Sequence, residues 1–163
     1  MRTVVFGYGN PSRGDDALGP RLLERVEAWL ADRPELEVAT VADFQLQIEH
    51  ALDLKDRDLA LFLDADAACG GAYAFAPASP VRDGSYTTHE LSPGAVLDVF
   101  RALEGHAPPP AYVLSVRGER FDLGAPLSPR TEANLEAAWA FLQTLLADPR
   151  PEAWTGKLPC LHA

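Results

Sequence analysis

The chain has 163 residues, 47% of them hydrophobic and 23% charged, enough for one domain whose core needs neither disulfides nor a structural metal. Its formal net charge of −10 argues against a nucleic-acid or anionic-membrane partner, and it is compatible with a protein partner that presents basic residues. The only cysteines are Cys69 and Cys160, with no C-x-x-C pair, which excludes a zinc ribbon and a disulfide framework.

Met1-Arg2 leads straight into an apolar run with no signal-peptide pattern, and no run approaches a membrane span, so the expected location is the cytoplasm. Residues 3–6, Thr-Val-Val-Phe, read as a first strand. The loop Gly7-Tyr8-Gly9-Asn10-Pro11-Ser12-Arg13-Gly14-Asp15-Asp16 follows, and residues 18–31 then carry apolar positions at helical spacing. A glycine-rich loop between a strand and a helix holds a phosphate or a metal, or is simply a turn with solvated acids. Adjacent carboxylates at a helix N-terminus repel phosphate and hold cations, so this loop leans towards a metal. A dinucleotide fingerprint needs G-x-G-x-x-G; here the third position is Ser12, and Asp15 and Asp16 stand where phosphate oxygens would sit. Asp43, after the second strand, is the one residue that imitates a ribose-binding acid.

Further strands are predicted over residues 37–42, 59–63, 72–76 and 112–116, and helices over about 45–54, 93–103 and 131–146. This alternation predicts a three-layer α/β/α domain: a mostly parallel, twisted sheet of about five strands, helices on both faces. Only Gly70-Gly71 separates the third and fourth strands, too short for a crossover helix, so the fourth is predicted antiparallel to the third. The domain is assigned to residues 1–148. Residues 149–163, with three prolines and Trp154, read as a C-terminal tail lying on the surface or partly disordered.

In an open parallel sheet, ligands bind beyond the carboxyl ends of the strands. Asp16 follows the first strand, Asp64 ends the third, and His89 lies ahead of the next helix. Two carboxylates and an imidazole leave open coordination positions and suit a borderline divalent ion such as Ni²⁺ or Zn²⁺. Each residue has a plainer reading. Asp64 is also a strand-end cap, with Asp66 as its rival, and His89 alone is an ordinary loop histidine. Asp15 is the alternative to Asp16 if the register is one residue off. His50 and His106 are assigned no catalytic part, and Cys69 is read as packing near Gly70-Gly71. Cys160 and His162 offer one thiol and one imidazole on the tail. There is no H-E-x-x-H helix and no G-x-S-x-G elbow.

The segment GYGNPSRGDDALGPRLLERVE resembles the opening of the hydrogenase maturation proteases, which trim the C-terminus of the [NiFe]-hydrogenase large subunit. The resemblance continues in Leu61-Phe62-Leu63-Asp64-Ala65, in Thr87-Thr88-His89-Glu90-Leu91-Ser92, in Ser115-Val116-Arg117-Gly118-Glu119 and in Leu127-Ser128-Pro129. It covers residues 2–147 in the family's order. It implies an endopeptidase whose substrate is the nickel-loaded large-subunit precursor, with Asp16, Asp64 and His89 as metal-contacting and catalytic residues. The nickel is supplied by the precursor and no organic cofactor is implied. The family often has glutamate at the position of Asp16, so aspartate is a shorter arm there. Many members carry D-G-G-T after the second strand, where this chain reads Asp43-Phe44-Gln45-Leu46-Gln47. Asp43 and Gln45 are therefore expected on the substrate, and the Gln-Leu-Gln variant looks similar to proteases serving soluble, cofactor-reducing hydrogenases. Two other readings stand beside this one: a nickel-checking chaperone that does not cut, and a dinucleotide-binding enzyme.

Overall fold

The computed structural model describes residues 1–82 and 91–159. Five strands, β1 (Thr3–Tyr8), β2 (Val38–Asp43), β3 (Leu59–Ala65), β4 (Tyr73–Ala78) and β5 (Ala111–Val116), form one sheet in the order β2-β1-β3-β5-β4. The first four in that order are parallel, and β4 runs antiparallel to β5 on the edge. Side chains alternate between the faces of a strand, and in β1 and β3 both faces are apolar because both are covered. Val5, Leu61 and Leu63 meet Leu22, Leu23 and Val26 of α1 (Leu18–Leu30) and Leu142 and Leu146 of α3 (Pro129–Ala147). Val4, Phe6 and Phe62 on the opposite face meet Val96, Leu97 and Phe100 of α2 (Pro93–Glu104). Burying a side chain of this kind contributes about 1.5–3 kcal/mol, so each helix is held mainly by its apolar stripe. Caps fix the ends of α2 and α3: Ser92 and Ser128 accept from the amides of Ala95 and Thr131, each with proline in the first turn.

Three features differ from the reading of the sequence. The fourth strand is antiparallel as expected, but it pairs with β5, not with β3. Residues 66–72 pass over the end of β5, where Asp66 N–H donates to Val116 O and Arg117 N–H donates to Ala72 O, both at 2.9 Å. Crossing two strand spacings takes about 10 Å, well within the reach of that loop. The expected helix over 45–54 is a 3-10 segment, Ile48–Leu54, opened by a capping box in which His50 Nδ1 accepts from Gln47 N–H at 2.8 Å. Residues 149–159 are not a surface tail. A short helix α4 (Pro151–Thr155) buries Trp154 completely, and its indole N–H donates to Leu145 O at 2.9 Å. The prolines that break α3 redirect the chain back onto the core, where Trp154 meets Tyr112 and Phe75 edge-on. Among the described residues no helix is long and apolar enough to cross a membrane.

Candidate functional site

Two close backbone approaches bring the strand ends to the start of α1. A Cβ on Gly19 would collide with the carbonyl oxygen of Tyr8 and lie 3.0 Å from that of Leu63, so only glycine lets the helix sit on β1 and β3 together. Gly9, at φ 143°, takes a conformation other residues avoid, and a Cβ there would strike the Asp16 carbonyl. Gly9 N–H also donates to Asp43 O at 3.1 Å, tying the first loop to the end of β2. The chain then makes a 3-10 turn, Gly14–Ala17, that carries both acids.

Asp15 and Asp16 point to different tasks. The Asp15 side chain is fully buried and accepts from Glu119 N–H at 2.6 Å, Arg120 N–H at 2.8 Å, Thr131 Oγ1 at 2.7 Å and Ser128 N–H at 3.2 Å. Burial pushes its carboxyl up, yet these bonds to the charged form win, and its pKa lies below the usual carboxylate value. Asp15 is a clamp between the first loop and the β5–α3 connection. Asp16 accepts from Asn10 N–H at 2.7 Å and faces a cleft of about 390 Å³ at the carboxyl edge of the sheet.

Asp64 lines the same cleft. Burial, then the charge of Asp66 and more weakly that of Asp16, raise its pKa from 3.8 to about 6, although bonds from Ala65 N–H and the Tyr8 hydroxyl hold it back. Tyr8, last residue of β1, is pushed well above the ordinary tyrosine value by burial and by the Asp64 charge beside it. Partly buried and crowded by other carboxylates, Asp64 sits in a setting that disfavours its own charge. Gln45 closes one wall, and Leu91, Ser92 and Pro93 at the start of α2 close another. His89 lies outside the described residues. Among the described residues, no three His, Cys, Asp or Glu side chains converge on one point.

The chain matches no protein-family model and no curated protein. Solved structures do match it. The hydrogenase maturating endopeptidase HybD from E. coli is 24% identical over 91% of this chain and 94% of its own, with a TM-score of 0.67. The [NiFe] hydrogenase maturation protease HycI from Thermococcus kodakarensis is 23% identical over 90% and 93%, also at 0.67. A hydrogenase 3 maturation protease covers all of this chain and 98% of its own at 17% identity and a TM-score of 0.64. The chain has the hydrogenase maturation protease fold.

Within that fold the remaining candidates have identifiable places. Asp66 Oδ1 accepts from Ala68 N–H at 2.9 Å, so the rival to Asp64 is a turn residue. Asp43 accepts from Phe44 N–H at 2.7 Å and lies 3.3 Å from His50 Nε2; it lines a hollow next to the cleft, whereas Gln45 lines the cleft itself. His50 is buried in its capping box against Phe6, and His106 packs edge-on against Phe100. Cys69 is buried with Sγ 3.9 Å from Ser115 O. Cys160 and His162 lie outside the described residues. Tyr8, which lines the cleft beside Asp64, is the residue that the sequence reading passed over. Its only signal there is position: a polar ring at the carboxyl end of the first strand, inside the Gly7-x-Gly9 turn.

Proposed function

We propose that this protein is an endopeptidase that removes the C-terminal extension of a nickel-loaded [NiFe]-hydrogenase large-subunit precursor. The observation that carries the reading is the pairing of Asp16 and Asp64 in one cleft, with the Asp64 carboxyl raised by its surroundings. Two carboxylates leave most of a divalent ion's coordination sphere open, as a site must if the ion arrives already bound to the substrate. Nickel is thus part of the substrate, and no organic cofactor is assigned. His89 is the third ligand in this proposal. Its support is the resemblance of Thr87-Thr88-His89-Glu90 to the family's histidine segment, and the fact that Leu91–Pro93, directly downstream, line the cleft.

Asp16 and Asp64 would hold the substrate's nickel, which would supply Lewis-acid chemistry to hydrolysis, by polarising a carbonyl or by activating a water. Tyr8 holds Asp64 by a hydrogen bond, and Asn10 N–H holds Asp16. The partner is the precursor alone; neither nucleic acid nor membrane is assigned, and the cytoplasm is the proposed location. Incubation with nickel-loaded precursor, followed by intact-mass spectrometry, tests the reading. One cut near the C-terminus is expected. Binding without any mass change would establish a nickel-checking chaperone instead.

A further inference from the structure

Beside the acidic cleft is a second hollow of about 320 Å³ whose lining is apolar: Gly9, Pro11, Pro20, Ala42 and Phe44, with Asp43 as the one ionisable residue. Phe44 is 69% exposed, a large aromatic surface for a chain of net charge −10. Its backbone is anchored: its N–H donates to Asp43 Oδ1, while Asp43 O accepts from Gly9 N–H and Asp43 Oδ2 lies against His50. Gly9 and Phe44 line both the hollow and the cleft, so the two meet across one ring. Exposed aromatic anchors in a fixed apolar setting are the usual centres of recognition.

We propose that this hollow is a recognition pocket for an apolar side chain of the chain being cut, two or three residues from the scissile bond. The inference rests on the protease reading above, and it adds the chemistry of one substrate position. An extended peptide advances about 3.3 Å per residue, so passing the Phe44 ring takes roughly two residues from the bond held in the cleft. Pro11 and Pro20 have no backbone N–H to offer, which leaves shape and apolar contact to select the occupant.

The test is cleavage and binding of nickel-loaded precursor by the wild type, Phe44→Ala, Phe44→Leu and the hollow-filling Ala42→Leu, with circular dichroism confirming folding. Phe44 and Ala42 are both exposed, so these variants are expected to fold. Phe44→Ala and Ala42→Leu should each raise KM by about tenfold or more, the scale of a lost apolar pocket contact. Phe44→Leu should recover most of the loss. Replacing the matching apolar residue of the precursor by serine should impair the wild type but add little to Phe44→Ala. Unchanged KM and affinity in both variants, with normal cutting by the wild type, would overturn the pocket and leave the protease standing. Wild-type binding that weakens in both variants, without any cutting, would uphold the pocket and overturn the protease. Phe44→Ala altering only self-association would assign the ring to a copy of this chain and overturn the proposal, and failure of the wild type to bind or cut would overturn both.

Discussion

Replacing Asp64 by asparagine keeps the size and a hydrogen-bond acceptor for Tyr8 while removing one charge, and it should make the protein more stable as it makes it inactive. The folded pKa of about 6 lies some two units above the value of 3.8 for a free aspartate. The folded state therefore holds more protons than the unfolded state between about pH 4 and pH 6, and stability contributed by the neutral acid is lost as pH rises through that window. At about 1.4 kcal/mol per unit, the ionised carboxylate costs the fold about 3 kcal/mol at pH 8. Asp64→Asn avoids that cost. For a domain of this size it should melt roughly 5–10 °C above the wild type at pH 8, with the gap closing below about pH 4. Thermal melts of both proteins across pH 4–8 measure the gap directly, and excess Ni²⁺ at pH 8 should raise the wild type but not the variant. Equal melting temperatures at pH 8 would show that Asp64 is not held against its own charge, and the argument for a cation site would fail with it.

Tyr8→Phe removes a bond that favours the ionised form of Asp64, so the acid limb of the cleavage profile should move to higher pH; an unmoved limb would sever Tyr8 from the site. Asp15→Ala leaves three backbone amides and the Thr131 hydroxyl without their acceptor and should cost about 3–5 kcal/mol in urea unfolding. Because the folded pKa of Asp15 is depressed, its contribution is present above about pH 4 and disappears as pH falls through the folded value, so the deficit of Asp15→Ala should shrink in acid. Trp154→Ala should cost about 3–5 kcal/mol by the same measurement; a loss under 1 kcal/mol would mean that the C-terminal segment is not part of the core.

The strands and their alternation with helices were legible because they rest on local patterns, apolar runs and glycine-proline punctuation; of the acids singled out near strand ends, Asp16 and Asp64 do line one cleft. What was not legible depends on distant partners. Asp15 and Asp16 are equivalent in the sequence, and they separate only because the four groups that bind Asp15 lie 104 to 116 residues away. Asp64 and Asp66 separate for a similar reason, since only the first borders the cleft. The prolines flanking Trp154 mark a break in the helix but say nothing of where the chain goes next, and the break was misread as an end. Residues 45–47, expected to begin a helix, instead give Gln45 to the cleft and Gln47 to a capping box, because the 3-10 segment starts only at Ile48 and leaves Gln47 extended as its N-cap. Phe44 has no local signal for exposure, since phenylalanine is among the residues most often buried.

The most direct measurement compares cleavage of one large-subunit precursor with and without its nickel, by the wild type and by Asp64→Asn, with products read by intact-mass spectrometry. A single C-terminal cut by the wild type on the nickel-loaded chain alone, and none by the variant on either, is the expected result. Cutting of the nickel-free precursor, or wild-type rates from Asp64→Asn, would contradict recognition of substrate nickel through this carboxylate.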